Sequence, residues 1–158
     1  MKSQSNRGFT IIELMIVLII IAIAAAVSGP LLSGFLPNRT ADRLYQEIEL
    51  DLRYARSQAV TTSAEISFEP LDQWKSGWQV INVASNQVLR ERSHNLAAGT
   101  VNSADIDTGS PLTFDINGRT NADASIVINV PGCTGRRVRT LAVNRIGQIQ
   151  ITGETKCP

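Results

Sequence analysis

"RGFTIIELMIVLIIIAIAAAV", Arg7–Val27, decides how the rest of the chain is read. Between Phe9 and Val27 the single ionisable side chain is Glu13. A run of this length suits an α-helix crossing a hydrocarbon core of about 30 Å. A carboxylate costs on the order of 2.5–3.5 kcal/mol at the centre of such a helix, and less near an end, where it snorkels to the headgroups. Position alone leaves two readings of Glu13 open: a snorkelling acid, or an acid that meets a positive partner.

The flanks sharpen the question. "MKSQSNRG" is polar and carries Lys2 and Arg7, like the first region of a secretory signal. Small residues at Ala22–Ala26 offer a cut after the apolar run, but a carboxylate within that run argues against it. A cut after Gly8 makes better sense of Glu13. It leaves Phe9 with a charged α-amine, and Phe9 and Glu13 stand four apart, on one helix face. Amine and carboxylate then neutralise each other, within one helix or between neighbours.

These residues resemble the class III leader of type IV pilins and type II secretion pseudopilins. The resemblance implies that a prepilin peptidase cuts after Gly8 and methylates the amine of Phe9. It implies that Glu13 pairs with a neighbouring subunit's amine during filament assembly. The implied partners are other major and minor pilin subunits, the peptidase and an inner-membrane assembly platform. The implied location is the inner membrane, single pass with the head in the periplasm, and then a periplasmic or extracellular filament.

The chain has 158 residues and a formal net charge of +1. Without the leader's Lys2 and Arg7, 13 basic side chains face 14 acidic ones. Overall charge therefore points to neither nucleic acid nor an anionic surface. Beyond the leader and apolar helix there is room for one small domain. The helix is expected to continue: Leu44, Ile48, Leu52, Ala55 and Ala59 recur at spacings of three and four, with Arg43, Glu47, Asp51 and Arg53 assigned to the opposite, polar face. Pro30 and Pro37 are expected to interrupt it, and Pro30 stands where the resemblance places a bend in pilin helices. If Phe9–Ala59 is mostly helical, it extends about 75 Å.

After Ala59 come "AEISFEP", "GWQVINVA", "QVLRERS", "LTFDING", "SIVINV", "RVRTLAV" and "GQIQIT", rich in β-branched residues and separated by Gly, Asn, Asp and Ser. They read as antiparallel strands packed on the upper helix, with Phe68, Trp74, Trp78 and Phe114 in or near the core. The expected fold is therefore α+β, and the resemblance implies that it is a type IV pilin fold. Its segments are a leader at 1–8, a transmembrane helix half at 9–29, an amphipathic half at 30–60 and a β-rich head at 61–158.

No enzyme chemistry emerges. His94 stands alone in "RERSHNLAAG", no nucleophile elbow or phosphate loop is present, and Asp105 and Asp107 in "DIDTG" supply too few oxygens for calcium. Two cysteines and one distant histidine fall short of four zinc ligands; neither metal nor cofactor is expected. With the head in the periplasm, as the pilin resemblance implies, Cys133 and Cys157 are expected to form a disulfide. Closing a loop of about 25 residues stabilises by about 3 kcal/mol on the chain-entropy model.

From Cys133 to the end, Arg136, Arg137, Arg139, Arg145 and Lys156 face a single acid, Glu154. Such a local excess suits phosphate contact or a solvated basic strand edge that discourages edge pairing; both readings stand. "DLRYARSQAV" at Asp51–Val60, "LTFDINGRT" at Leu112–Thr120 and the late cysteine pair resemble the FimT/FimU and GspH group of minor pilins. FimT-type members are associated with DNA capture through a Gly-Arg-x-Arg tail motif. Here "GQIQ", Gly147–Gln150, stands in that place, with Gln148 and Gln150 where the arginines would be. That departure shifts the expectation to a FimU-type subunit joining a pilus tip to its shaft. DNA contact through "GRRVR", and an H-type pseudopilin of type II secretion, are the alternatives.

Overall fold

The computed structural model describes residues 10–32 and 34–158, and of residues 27–32 the backbone alone. Two helices come first, α1 (Ile11–Leu32) and α2 (Phe35–Thr62). Eight strands follow: β1 (Ile66–Leu71), β2 (Gly77–Asn82), β3 (Gln87–Ser93), β4 (Val101–Asn102), β5 (Leu112–Phe114), β6 (Ala124–Ile128), β7 (Val138–Val143) and β8 (Ile149–Thr155).

The described side chains of α1 are apolar on every face apart from Glu13 in its first turn, and all are exposed. A helix apolar all round is stable only within lipid or among other helices. Among the described residues no helix is long and apolar enough to cross a membrane, the described side chains of α1 ending at Ala26.

Pro30 and Pro37 both lie within helices. Helix α1 runs through Pro30 to Leu32, and the interruption falls between Leu32 and Phe35. Gly34 is the N-cap of α2, its carbonyl accepting from the Asn38 N–H at 3.1 Å. Pro37 sits in the first turn, where an N–H has no partner within the helix and its absence breaks no bond.

The expected stripe of α2 is buried: Leu44, Ile48, Leu52, Ala55 and Ala59, joined by Ala41. It packs on two four-stranded antiparallel sheets, ordered β3-β2-β1-β5 and β4-β6-β7-β8. Phe68, Trp74, Trp78 and Phe114 lie in the core, as expected, together with Ile66, Ile126, Ile128 and Leu141. Two strand expectations change. The "DING" of "LTFDING" is a turn rather than strand, and the two-residue β4 lacks any run long enough to show period-2 alternation.

Candidate functional site

The described molecule has two places where polar groups are arranged for contact: the start of α1, and the length of α2 as it meets the head.

At the start of α1, Thr10 and Glu13 form a capping box. The Thr10 hydroxyl accepts from the Glu13 N–H at 3.3 Å, and the Glu13 carboxylate accepts from the Thr10 N–H at 2.8 Å and from its hydroxyl at 2.9 Å. "TIIE" is the sequence signature of that box, and the reading of Glu13 as one half of a charge pair overlooked it. Gly8 and Phe9, the expected cleavage and methylation residues, lie outside the described residues, as does the side chain of Pro30.

Along α2 three polar docks succeed one another. The first holds the disulfide segment. Cys133 and Cys157 are bonded, as expected. The Asn38 amide donates to the Thr134 hydroxyl at 2.9 Å and accepts from the Thr134 N–H at 2.8 Å. One turn on, Asp42 pairs with Arg137 and, at 3.0 Å, with Arg139. Arg139 also lies 3.5 Å from the Glu154 carboxylate, with its guanidinium over the Tyr45 ring. Arg136 donates to the Glu154 carbonyl at 2.9 Å. Of the four arginines read as candidate DNA contacts, three thus tie β7, β8 and α2 together. Arg145 stands apart, largely exposed and 3.7 Å from Asp123.

The second dock corrects the polar face drawn for α2. Asp51 is fully buried. Its carboxylate accepts from the Trp78 indole at 2.9 Å, from Arg90 at 2.7 Å and from Arg92 at 3.0 Å. These bonds pin the β2–β3 hairpin to the helix, and the Asp51 carboxylate raises the pKa of Arg92. A buried carboxylate is tolerable only when its lone pairs are met this fully. Arg90 further stacks 3.8 Å above the Tyr54 ring. His94, just past the end of β3, packs its ring on Trp78, and its Nε2 lies 3.0 Å from Glu47.

The third dock brings two of the head motifs and the residue before "GQIQ" together at one side chain. Arg56, from "DLRYARSQAV", donates to the carbonyl of Gly118, from "LTFDINGRT", at 3.0 Å. It also donates to the carbonyl of Ile146, just before "GQIQ", at 3.2 Å. Both turns need glycine here. Gly118 and Gly147 have φ of +72° and +73°, and a Cβ on Gly147 would stand 2.0 Å from the Gly118 carbonyl oxygen. The Gly118 turn is closed by Asp115, which accepts from the Arg119 and Asn117 N–H groups at 2.9 and 2.8 Å; those bonds, Arg119's foremost, hold its carboxyl below the usual range. Sequence reading found each motif but not their meeting point, because a helix residue and two turns up to 90 positions away share no periodicity.

Among the described residues no group of three or more His, Cys, Asp or Glu side chains is placed to hold a metal ion. A helix apolar on all faces, followed by a helical spine docked into an antiparallel head, defines a pilin-like subunit. Residues 45–147 match the family model described as type II transport protein GspH, and residues 3–29 match the prokaryotic N-terminal methylation motif. The chain belongs to the GspH family of minor pilins and pseudopilins. The type IV minor pilin FimU of Pseudomonas aeruginosa is similar in two crystal forms. One is 27% identical with a TM-score of 0.57, covering 74% of this chain and 96% of that one. The other is 25% identical with a TM-score of 0.55, covering 78% and 96%. The minor pseudopilin EpsH of the Vibrio cholerae type 2 secretion system is 10% identical with a TM-score of 0.47, covering 77% and 97%. No curated protein sequence matches the chain. The family is one of structural subunits, anchored in the membrane before assembly, and the methylation motif implies processing by prepilin peptidase and assembly with other pilins.

Proposed function

We propose that the protein is a minor pilin incorporated at or near the tip of a type IV pilus. There it primes assembly and links tip subunits to the major-pilin shaft. The observation that carries this reading is the likeness to the minor pilin FimU, which extends over almost the whole of that chain. Cleavage after Gly8 frees the amine of Phe9, which is then methylated. The subunit waits in the inner membrane with its head in the periplasm, engages the assembly platform, and Glu13 accepts a neighbour's amine as α1 leaves lipid for the filament. Exposed apolar side chains around α1 suit both surroundings.

A second reading, the H-type pseudopilin of a type II secretion system, is favoured by the description of the matching family model. DNA capture has less support: Arg137 and Arg139 are paired with Asp42, and Arg136 with the Glu154 carbonyl.

The test is the composition of sheared filaments together with amino-terminal mass analysis. The subunit should be present in type IV pili, at a low ratio to the major pilin, with a methylated Phe9 at its start. A chain beginning at Val27, or one retained in membranes while pili form normally without it, would overturn the reading. Recovery with a secretion pseudopilus would select the second.

A further inference from the structure

We propose that the groove beside Arg56 is a docking site for an acidic segment of a neighbouring pilin subunit. This rests on the assembly reading above and adds a surface and the chemistry of one partner. The groove encloses about 620 Å³ and is lined by donors, Arg53, Arg56, Ser57, Thr61 and Gln148, with no carboxylate among its walls.

Arg56 is the fixed point. Its guanidinium is held by two carbonyls from separate turns, and it belongs to no ion pair among the described residues. Carbonyls orient a cation without neutralising it, so the full charge remains for a ligand. The holding is built into the fold: a side chain at Gly147 would strike the Gly118 carbonyl and crowd Arg56 Nε at 2.9 Å. Arg53 gives one side of its guanidinium to Glu49, at 2.7 Å, and still lines the groove.

The rim indicates what kind of anion fits. Val60, Ile116 and Ile146 are each at least half exposed, one on each of the three segments that meet at Arg56. Singly, exposed aliphatics are ordinary. Val60, with Ile149, lines the groove itself, and an apolar wall beside a preorganised guanidinium is of the kind that protein interfaces bury about an arginine anchor. A planar, forked donor with apolar neighbours suits a carboxylate flanked by hydrophobic residues. A nucleic-acid backbone would instead call for a track of cations, and the nearby Arg145 is already opposite Asp123. The groove occupies the last three turns of α2, about 27–39 Å along that helix from Phe35. It therefore lies on the half of α2 remote from α1.

The test uses the full chain in cells that assemble the filament, with a photoreactive benzoylphenylalanine at Gln148. Light should link it to one peptide of a different pilin, with an Asp or Glu within a few residues of an apolar side chain. Replacing Arg56 risks the two turns, so the informative variant is Ser57→Glu. It sets a carboxylate of the chain's own in the groove, one helical turn from Arg53. Cross-link yield should fall at least tenfold while the thermal midpoint holds and Glu13 function is untouched. Filaments that contain the subunit yet show no such link overturn the docking proposal alone. So does a link to a second copy or to DNA, or a yield that Ser57→Glu leaves unchanged. Absence of the subunit from filaments overturns the assembly reading, and this proposal with it.

Discussion

Glu13 in α1 and Asp51 in α2 are acids set among apolar neighbours, and they are satisfied in opposite ways. Asp51 is buried and accepts from three donors of its own chain, two of them arginines brought from β3. Glu13 is exposed, and the partners given to it are Thr10's N–H and hydroxyl, both neutral. An acid whose cations come from its own fold holds that fold together. An acid with neutral local partners keeps its charge for something outside the chain, and in a membrane or a helical bundle that charge needs a counter-ion. The same side-chain chemistry thus serves folding in one helix and, on our reading, assembly in the other.

The comparison breaks most readily at Asp51. Asp51→Ala leaves Arg90, Arg92 and the Trp78 indole without their acceptor, and breaking a buried pair from one side costs about 3–5 kcal/mol. Denaturant unfolding of the full chain in detergent should show a loss of that size. A loss below about 1 kcal/mol would mean that solvent replaces Asp51 and that the dock is no anchor. Next comes the tie at the start of α2. Reducing Cys133–Cys157 frees the tail that presents Arg137 and Arg139 to Asp42, and should cost about 3 kcal/mol. Cys133→Ser with Cys157→Ser should reproduce that loss, while a midpoint insensitive to reductant would show that the Asp42 pairs hold the tail unaided.

At Glu13 the capping box must be separated from the charge. Glu13→Gln keeps an acceptor for the Thr10 N–H, since glutamine serves equally in the box. Glu13→Val removes both. If the charge is for a neighbour, both variants should insert normally, keep the stability of the head, and appear in sheared filaments at about a tenth of the normal level or less. Normal incorporation of Glu13→Gln would make Glu13 a helix cap and nothing more.

The amphipathic period of α2 and the β-branched runs were legible because burial repeats with the geometry of the element. Asp51 was not: an aspartate at that spacing reads as part of the polar face, and only the arrival of Trp78, Arg90 and Arg92 from a hairpin 27 to 41 residues away makes its burial tolerable. Pro37 misled for a related reason. A proline breaks a helix when its N–H was needed, and at Pro37 it was not. The basic tail shows the limit of counting charge along the chain. Arg137 and Arg139 carry a local excess in sequence, yet their counter-ion Asp42 is supplied by α2, about 95 residues earlier.

The smallest expected effect lies between the first and second docks, at Tyr45 and Glu49, and it tests whether α2's flank is tuned by local contacts alone. Burial, and then the Glu49 carboxylate beside it, push the Tyr45 phenol up to about 12 from 10.0. The Tyr45 hydroxyl, and then Arg53, hold Glu49 below its ordinary 4.5. For Glu49 the folded pKa is depressed, so its stabilisation is complete above pH 4.5 and is lost as pH falls through the folded value. For Tyr45 the folded pKa is raised, so its contribution is complete below pH 10 and is lost as pH rises through about 12. Tyr45→Phe removes the phenol and the largest cause of the Glu49 shift together. The difference in stability between wild type and Tyr45→Phe should therefore be flat between about pH 5 and pH 10 and narrow on both sides of that window. Its size should be about 0.2–1 kcal/mol, since Glu49 remains partly open to water. A difference that narrows on the alkaline side alone would assign the Glu49 shift to Arg53, and Arg53→Gln would then carry the acid limb.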